Sequence, residues 1–205
     1  MKLIDLSRVI ENNMPVYPGD AKTSLIQANY LGTDGYNNHR LDTGMHVGTH
    51  IDSPMHMTGN KQYISELPLD SFIAEGCLLD VRNQAVIEFK SEYDSLVKEN
   101  SIVLLYTGFD KYYGTKEYYE NHPCIDMGFC RFLVCKNIKM LGMDIPAPDR
   151  HPYGMHKLLF ENNICVLENL TNLDRLLNVD KFEVIAFPLK IKADSSMTRA
   201  VARII

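Results

Sequence analysis

The 205-residue chain carries 21 basic and 26 acidic side chains, a formal charge of −5, with 45% hydrophobic and 23% charged residues. That is the make-up of one soluble globular domain, residues 1–205, with enough length for a real core. The acidic balance, without any Lys/Arg block, gives no case for nucleic acid, and no apolar run approaches membrane-spanning length. The amino-terminal segment meets a charge at Asp5 and lacks a signal-type apolar core. Cys77, Cys124, Cys130, Cys135 and Cys165 form no CxxC pair. Reduced thiols in a cytoplasmic protein are therefore expected, and a cysteine-built structural zinc site is not.

In chain order, Lys2–Leu6 reads as the first strand. The turn Pro15-Val-Tyr-Pro18-Gly19-Asp20 is a rigid break able to bring Tyr17 to a surface cleft, although an ordinary loop with a partly buried Tyr17 fits equally well. Strand-like runs follow at Ser24–Tyr30, Arg40–Asp52, Gly76–Val81 and Ile102–Thr107, then at Met140–Asp144, Cys165–Glu168, Glu183–Leu189 and Ala200–Ile205. Helices are expected at Ser91–Lys98, Asp126–Lys136 and Tyr153–Asn162, the second with a broad apolar stripe and Asn137 as terminator. The first third is mostly strand and turn. From Ser91 onward helix and strand alternate, which favours an α/β design with some parallel pairing. A mixed sheet or small barrel with helices packed outside fits both halves.

The stretch His46-Val-Gly-Thr-His50-Ile-Asp52-Ser-Pro-Met-His56 holds three of the seven histidines and one carboxylate. Imidazole nitrogen and carboxylate oxygen are ligands that zinc and manganese accept. On a helix His46 and His50 would share a face while Asp52 and His56 swing away. In an extended segment positions 46, 50, 52 and 56 all share one face. Gly48, Thr49, Ile51 and Pro54 also disfavour helix, so His46–Asp52 is placed on a strand or strand end that runs into a loop at Ser53-Pro54. The helical zinc-protease motif needs a Glu after its first His, and here that residue is Val47. Surface or core-satisfied histidines are the plainer alternative, less suited to four ligand-type side chains on one face. One metal on His46, His50 and Asp52 would leave an open position, as catalytic sites do. Further along, His156 falls in a predicted helix and Glu168 among apolar neighbours in a predicted strand. A buried acid must be paired or metal-bound, but spacing alone does not connect either residue to the first cluster.

The run from His46 to His56 fits His-x-Gly-Thr-His-x-Asp-x-Pro-x-His at every specified place. With it the chain resembles the cyclase-like metal-dependent hydrolases, which include bacterial kynurenine formamidase and isatin hydrolase. Three further segments are similar to the family's: Asp5-Leu-Ser with Pro15–Asp20, Gly142-Met-Asp-Ile-Pro-Ala-Pro-Asp149, and Asp194-Ser-Ser-Met-Thr-Arg199-Ala-Val-Ala202. The resemblance implies a swivelling β/β/α fold assembled as a homodimer, homotetramer or other homo-oligomer. It implies a first divalent metal, Zn or Mn, on His46, His50 and Asp52. Asp52 would bridge to a second metal held also by His156 and Glu168. His56 would be the catalytic proton-transfer residue. Tyr17 falls where the formamidases often place a tryptophan against an aromatic substrate, whereas this chain has no Trp. The Ser-Ser-Met run before Arg199 also departs from the family's version and is assigned no role.

The expected activity is metal-assisted hydrolysis of a carbon–nitrogen bond in a small amide, formamide or lactam, with a small-molecule substrate as the only partner besides other copies of the chain. Lactone opening is a close variant, and a cyclase or dehydratase using the same metals is the alternative enzyme. A non-catalytic metal- or ligand-binding member of the fold is the alternative from another class, and the retained His56 argues against it.

Overall fold

A computed structural model describes the whole chain, residues 1–205. Its strands are β1 (Lys2–Asp5), β2 (Ser24–Asn29), β3 (Asn38–Asp42), β4 (His50–Asp52), β5 (Ile73–Asp80), β6 (Val86–Ile87) and β7 (Ile102–Tyr106). They continue as β8 (Cys124–Ile125), β9 (Met140–Met143), β10 (Cys165–Glu168), β11 (Phe182–Ile185), β12 (Ser195–Met197) and β13 (Val201–Ile204). Helices are few: α1 (Leu31–Asp34), α2 (Tyr93–Leu96), α3 (Lys116–Glu120), α4 (Met127–Cys135) and α5 (Gly154–Glu161).

Nine strands form one curled mixed sheet in the order β1-β13-β11-β5-β7-β9-β10-β4-β12. Its centre, β5-β7-β9-β10, is parallel, and the flanks pair antiparallel. Parallel neighbours need crossovers long enough to hold helices, and the segments around α2–α4 and α5 supply them. The first and last strands pair with each other. Alternation along a strand feeds two cores. In β7, Val103 and Leu105 point to a core shared with Phe129 and Leu133 of α4 and Leu159 and Phe160 of α5. Ile102 and Leu104 point to the opposite core, with Ile4, Phe72, Leu167, Phe182 and Val184. Gly76 is needed where Phe182 crosses, because a Cβ there would sit 2.1 Å from the ring. No helix is long and apolar enough to cross a membrane.

The alternating helix–strand design and the mixed sheet agree with the expectation from sequence. Helix α4 starts where expected, with the Asp126 side chain accepting from the Phe129 N–H, and Asn137 lies in the left-handed region just past its end. Other boundaries differ. The run Arg40–Asp52 is not one strand: it breaks into β3 and β4 with a bend over residues 45–49. Gly48, at φ +57, supplies the left-handed turn that extended alternation does not allow. His46 therefore reaches its neighbours from a bend rather than from a strand. The helix expected at Ser91–Lys98 is a single turn, because only Tyr93 and the flanking Val97 bury and Asn100 turns the chain into β7. The strand expected to Leu189 ends at Ile185, ahead of Pro188, which lacks the N–H a ladder needs and makes only an isolated bridge to Thr198.

His122 lies buried just after α3, its Nδ1 donating to the Tyr119 carbonyl and its Nε2 without a partner. Burial, and then the nearby Arg150 guanidinium, push this imidazole down to about 4 from an ordinary 6.5. The unfolded chain therefore takes up a proton before the folded one does. This contribution to stability is complete above pH 6.5 and is lost as pH falls to about 4, at about 1.4 kcal/mol per pKa unit. His122→Gln should flatten the acid limb of stability between those values, measured by denaturant unfolding at several pH values. Equal slopes in the two proteins would contradict this role.

Candidate metal centre and active site

Strand β4 lies between β10 and β12, and its register builds the site. His50 pairs with Glu168 and Asp52 with Val166 on β10, while on β12 Met197 pairs with His50 and Ser195 with Asp52. Residues two apart on a strand share a face, and directly paired residues on neighbouring strands stand side by side. His50, Asp52 and Glu168 thus meet on the face covered by α5, while Ile51 and Leu167 point into the opposite core. Helix α5 adds His156 from its buried side. Asp149 holds that helix start: one carboxylate oxygen accepts from the Met155 N–H at 2.8 Å and the other from His156 Nδ1 at 2.5 Å. The His156 Nε2 is left facing Glu168 Oε1 at 3.3 Å.

The remaining distances are equally short. His50 Nδ1 donates to the Gly48 carbonyl at 2.9 Å, which turns Nε2 inward, 3.3 Å from Asp52 Oδ1 and 3.4 Å from Glu168 Oε2. His46 Nδ1 lies 2.9 Å from Asp52 Oδ1, and His56 Nε2 lies 3.9 Å from Asp52 Oδ2. His50, Asp52, His156 and Glu168 are buried, and His46 and His56 are partly open to the cavity. The fold therefore gathers all six residues that the sequence singled out for metal or proton chemistry. Two tight sets of three share Asp52: His46 with His56, and His50 with Glu168. His156 touches this group through Glu168 alone.

Burial disfavours charge on these rings, but the carboxylates overcome it. Asp52 and Asp194 lift His46 to about 11. Asp149 and Glu168 lift His156 to about 9, and Asp52 and Glu168 raise His50. Burial alone would raise Asp52, yet His50 and His46 hold it well below the usual carboxylate range. Such an enclosure also suits a divalent cation. Two of its buried atoms, His50 Nε2 and Asp52 Oδ1, have no hydrogen-bond partner although ring nitrogens and oxygens stand about them. Each buried polar atom needs a partner, and a cation among them supplies one. Imidazole and carboxylate together suit zinc or manganese. The side hydrogen bonds from His50 to Gly48 and from His156 to Asp149 fix the ring tautomers, as they do around bound metals.

The cluster floors a cavity of about 230 Å³. Tyr17, Tyr113, Tyr119 and Tyr153 line it with Pro15 and Met57. Tyr17 is thus at a cleft, as the Pro15–Asp20 turn suggested, and packs edge-on against Tyr119 with ring centroids 5.7 Å apart. Tyr153 sits at φ +61, a left-handed conformation unusual for a bulky residue, at the start of α5. Two residues that sequence reasoning left without a role belong to the site. Asp149 orients His156, and Asp194 contacts both His46 and His56. Both lie in segments quoted above for their family likeness, which was the only signal for them.

A curled mixed sheet with a His–carboxylate cluster at the floor of an aromatic cavity marks the α/β proteins that bind a divalent metal beside a small-molecule pocket. Within that class, the model of the Cyclase family, described as "Putative cyclase", matches residues 4–150, and the chain belongs to that family. A kynurenine formamidase of Bacillus cereus is 30% identical over 98% of this chain and 96% of its own length. An uncharacterized protein of Methanocaldococcus jannaschii is 32% identical over 98% of this chain and 99% of its own. Among solved structures, isatin hydrolase A from Labrenzia aggregata, bound to benzyl benzoate, superposes with a TM-score of 0.87 at 24% identity, covering 99% of this chain and 93% of that one. This last likeness speaks to the fold.

Proposed function

We propose that the protein hydrolyses a carbon–nitrogen bond in a small amide, formamide or lactam, as an arylformamidase-like enzyme. The observation that carries this reading is the convergence of His46, His50, Asp52, His156 and Glu168 beside a further imidazole, His56, at the floor of one cavity. Full-length similarity to a kynurenine formamidase supports the formamide. His46, His50 and Asp52 would hold one ion. Asp52, His156 and Glu168 would hold a second. Glu168 faces both His50 and His156, so it could contribute to either position. Zinc or manganese suits these donors. A divalent metal bound there lowers the pKa of a water ligand toward neutrality and polarises a carbonyl.

The chain's own groups account for the rest. His56 takes a proton from the attacking water at Nε2 and returns it to the leaving nitrogen, so that amide and water become acid and amine. The tyrosines of the cavity, Tyr17 among them, give an aromatic substrate ring flat and edge-on partners. We read residues 1–205 as one domain, supported by the pairing of β1 with β13. We also propose a homodimer or homotetramer. The two-stranded arm β2–β3 exposes Ile26 and Leu41, with Tyr30, Leu31 and Tyr36 between its strands, and a lone hairpin is marginally stable in water.

The test is a panel of formanilides, isatin and small lactones, assayed on metal-loaded protein with and without a chelator. Chelator-sensitive release of formate from formanilides is expected. Metal-loaded protein that binds these compounds stoichiometrically without turning over any of them would overturn the reading. Light scattering on the same sample gives the assembly, and a monomer mass would remove the oligomer.

A further inference from the structure

Asp194 sits just ahead of β12, and the fold holds it from both sides. Its own carbonyl accepts from the Ser53 N–H at 3.0 Å and from the Ser53 hydroxyl at 2.7 Å. The Ala193 carbonyl accepts from the Ile64 N–H at 2.9 Å, and Ser195 is already in register with Asp52. Its side chain is thereby fixed over two imidazoles. A single oxygen, Oδ2, lies 2.9 Å from His56 Nδ1 and 3.0 Å from His46 Nε2. The two rings lie against each other, centroids 4.1 Å apart.

An ionised carboxylate only accepts hydrogen bonds. Both ring nitrogens that face it must therefore carry hydrogen. A ring that ligates a metal must be neutral, and so must one that accepts a proton. In those states one lone pair each is left, on His56 Nε2 and on His46 Nδ1. Those are the two nitrogens turned toward Asp52. We propose that Asp194 is a positioning residue which, through one oxygen, sets the tautomer and aim of His56 as the proton-transfer group and of His46 as a ligand. The same logic governs the carboxylate behind a catalytic histidine in hydrolase triads, where it orients the ring without being protonated itself. The inference rests on the hydrolase reading only for the catalytic consequence. The tautomers themselves are a property of the protein whatever it acts on.

The experiment uses two-dimensional ¹H–¹⁵N spectra of histidine-labelled, zinc-loaded protein, a diamagnetic state, together with steady-state kinetics on a formanilide. In the wild type His56 should carry its hydrogen on Nδ1. In Asp194→Asn, whose amide can turn either an oxygen or an NH₂ toward each ring, the His56 signal should move toward the other tautomer. The kcat should then fall by about 10²-fold, at the lower end of what general acid–base catalysis contributes, with KM changed little. Asp194→Glu keeps the carboxylate and should recover the Nδ1–H signal. A wild-type spectrum with His56 protonated on Nε2 overturns the proposal even if the variants do not fold. So does an Asn variant whose tautomer is unchanged, or one whose whole kcat loss returns on adding excess zinc, since Asp194 would then act through His46 only. Failure of the hydrolase reading would look different: no turnover in any protein, with the tautomer shift still present.

Discussion

Asp52→Asn should strip the protein of tightly held divalent metal. Asp52 is the residue common to both ligand sets, and its two oxygens face His46, His50 and His56. An asparagine has the same size and leaves the pairing of β4 with β10 and β12 intact, since that pairing is made by backbone. It removes the negative charge and gives the buried site an NH₂ in place of one oxygen. Breaking one partner of a buried charge pair costs about 3–5 kcal/mol, equivalent to roughly 10²–10⁴-fold in affinity. Metal analysis after dialysis, followed by calorimetric titration with zinc, measures this directly, and turnover should fall with metal content. A variant that retains wild-type metal after dialysis would show that Asp52 is not the shared ligand.

His56→Asn is expected to act on rate rather than on metal. The ring is partly open to the cavity, and its Nε2 is 3.9 Å from Asp52, more distant than the other two imidazoles of the cluster. Removing a general acid–base group costs about 10²–10⁴ in turnover, with metal content and unfolding midpoint kept. The geometry also offers a contrary outcome, because His46, Asp52 and His56 lie close enough to hold an ion together. If the variant loses metal affinity by about 10–100-fold and regains full activity in excess metal, His56 is a ligand or supports one. The proton must then be moved by another group.

The chemistry of the site was more legible in the sequence than its geometry. Ligand types are written in residue identity, so His46, His50, Asp52 and His56 stood out without any structure. Their common face was argued from alternation along one strand, and that argument holds for His50 and Asp52 alone. His46 arrives through the left-handed turn at Gly48, and a local period cannot anticipate a turn. Glu168 was visible as an acid in an apolar run, yet what places it is a cross-strand register with His50, a non-local fact. Asp194 is 138 positions from His56 and sits beside a Ser-Ser-Met stretch with no distinctive chemistry. Only folding discloses its partners. Long, strongly patterned elements such as α4 and β7 were read well, because their burial is periodic. Short ones such as β6, β8 and β12 were missed, since two or three residues carry no period.

Strand β4 serves two masters at once. His50 and Asp52 project toward the ligands, and Ile51, fully buried between them, belongs to the hydrophobic core on the other side. A shift of register by one residue would invert every side chain of a strand. Here it would put an aliphatic group among the ligands and two ionisable groups into oil. A one-residue insertion or deletion between Gly48 and Asp52 is therefore expected to dismantle the site. The Pro15–Asp20 turn and the loop carrying Tyr113 lie outside this constraint and can change length and composition. What the cavity admits at that rim is thus physically separable from the machinery beneath it, so the shape of the rim can change while β4 stays in register.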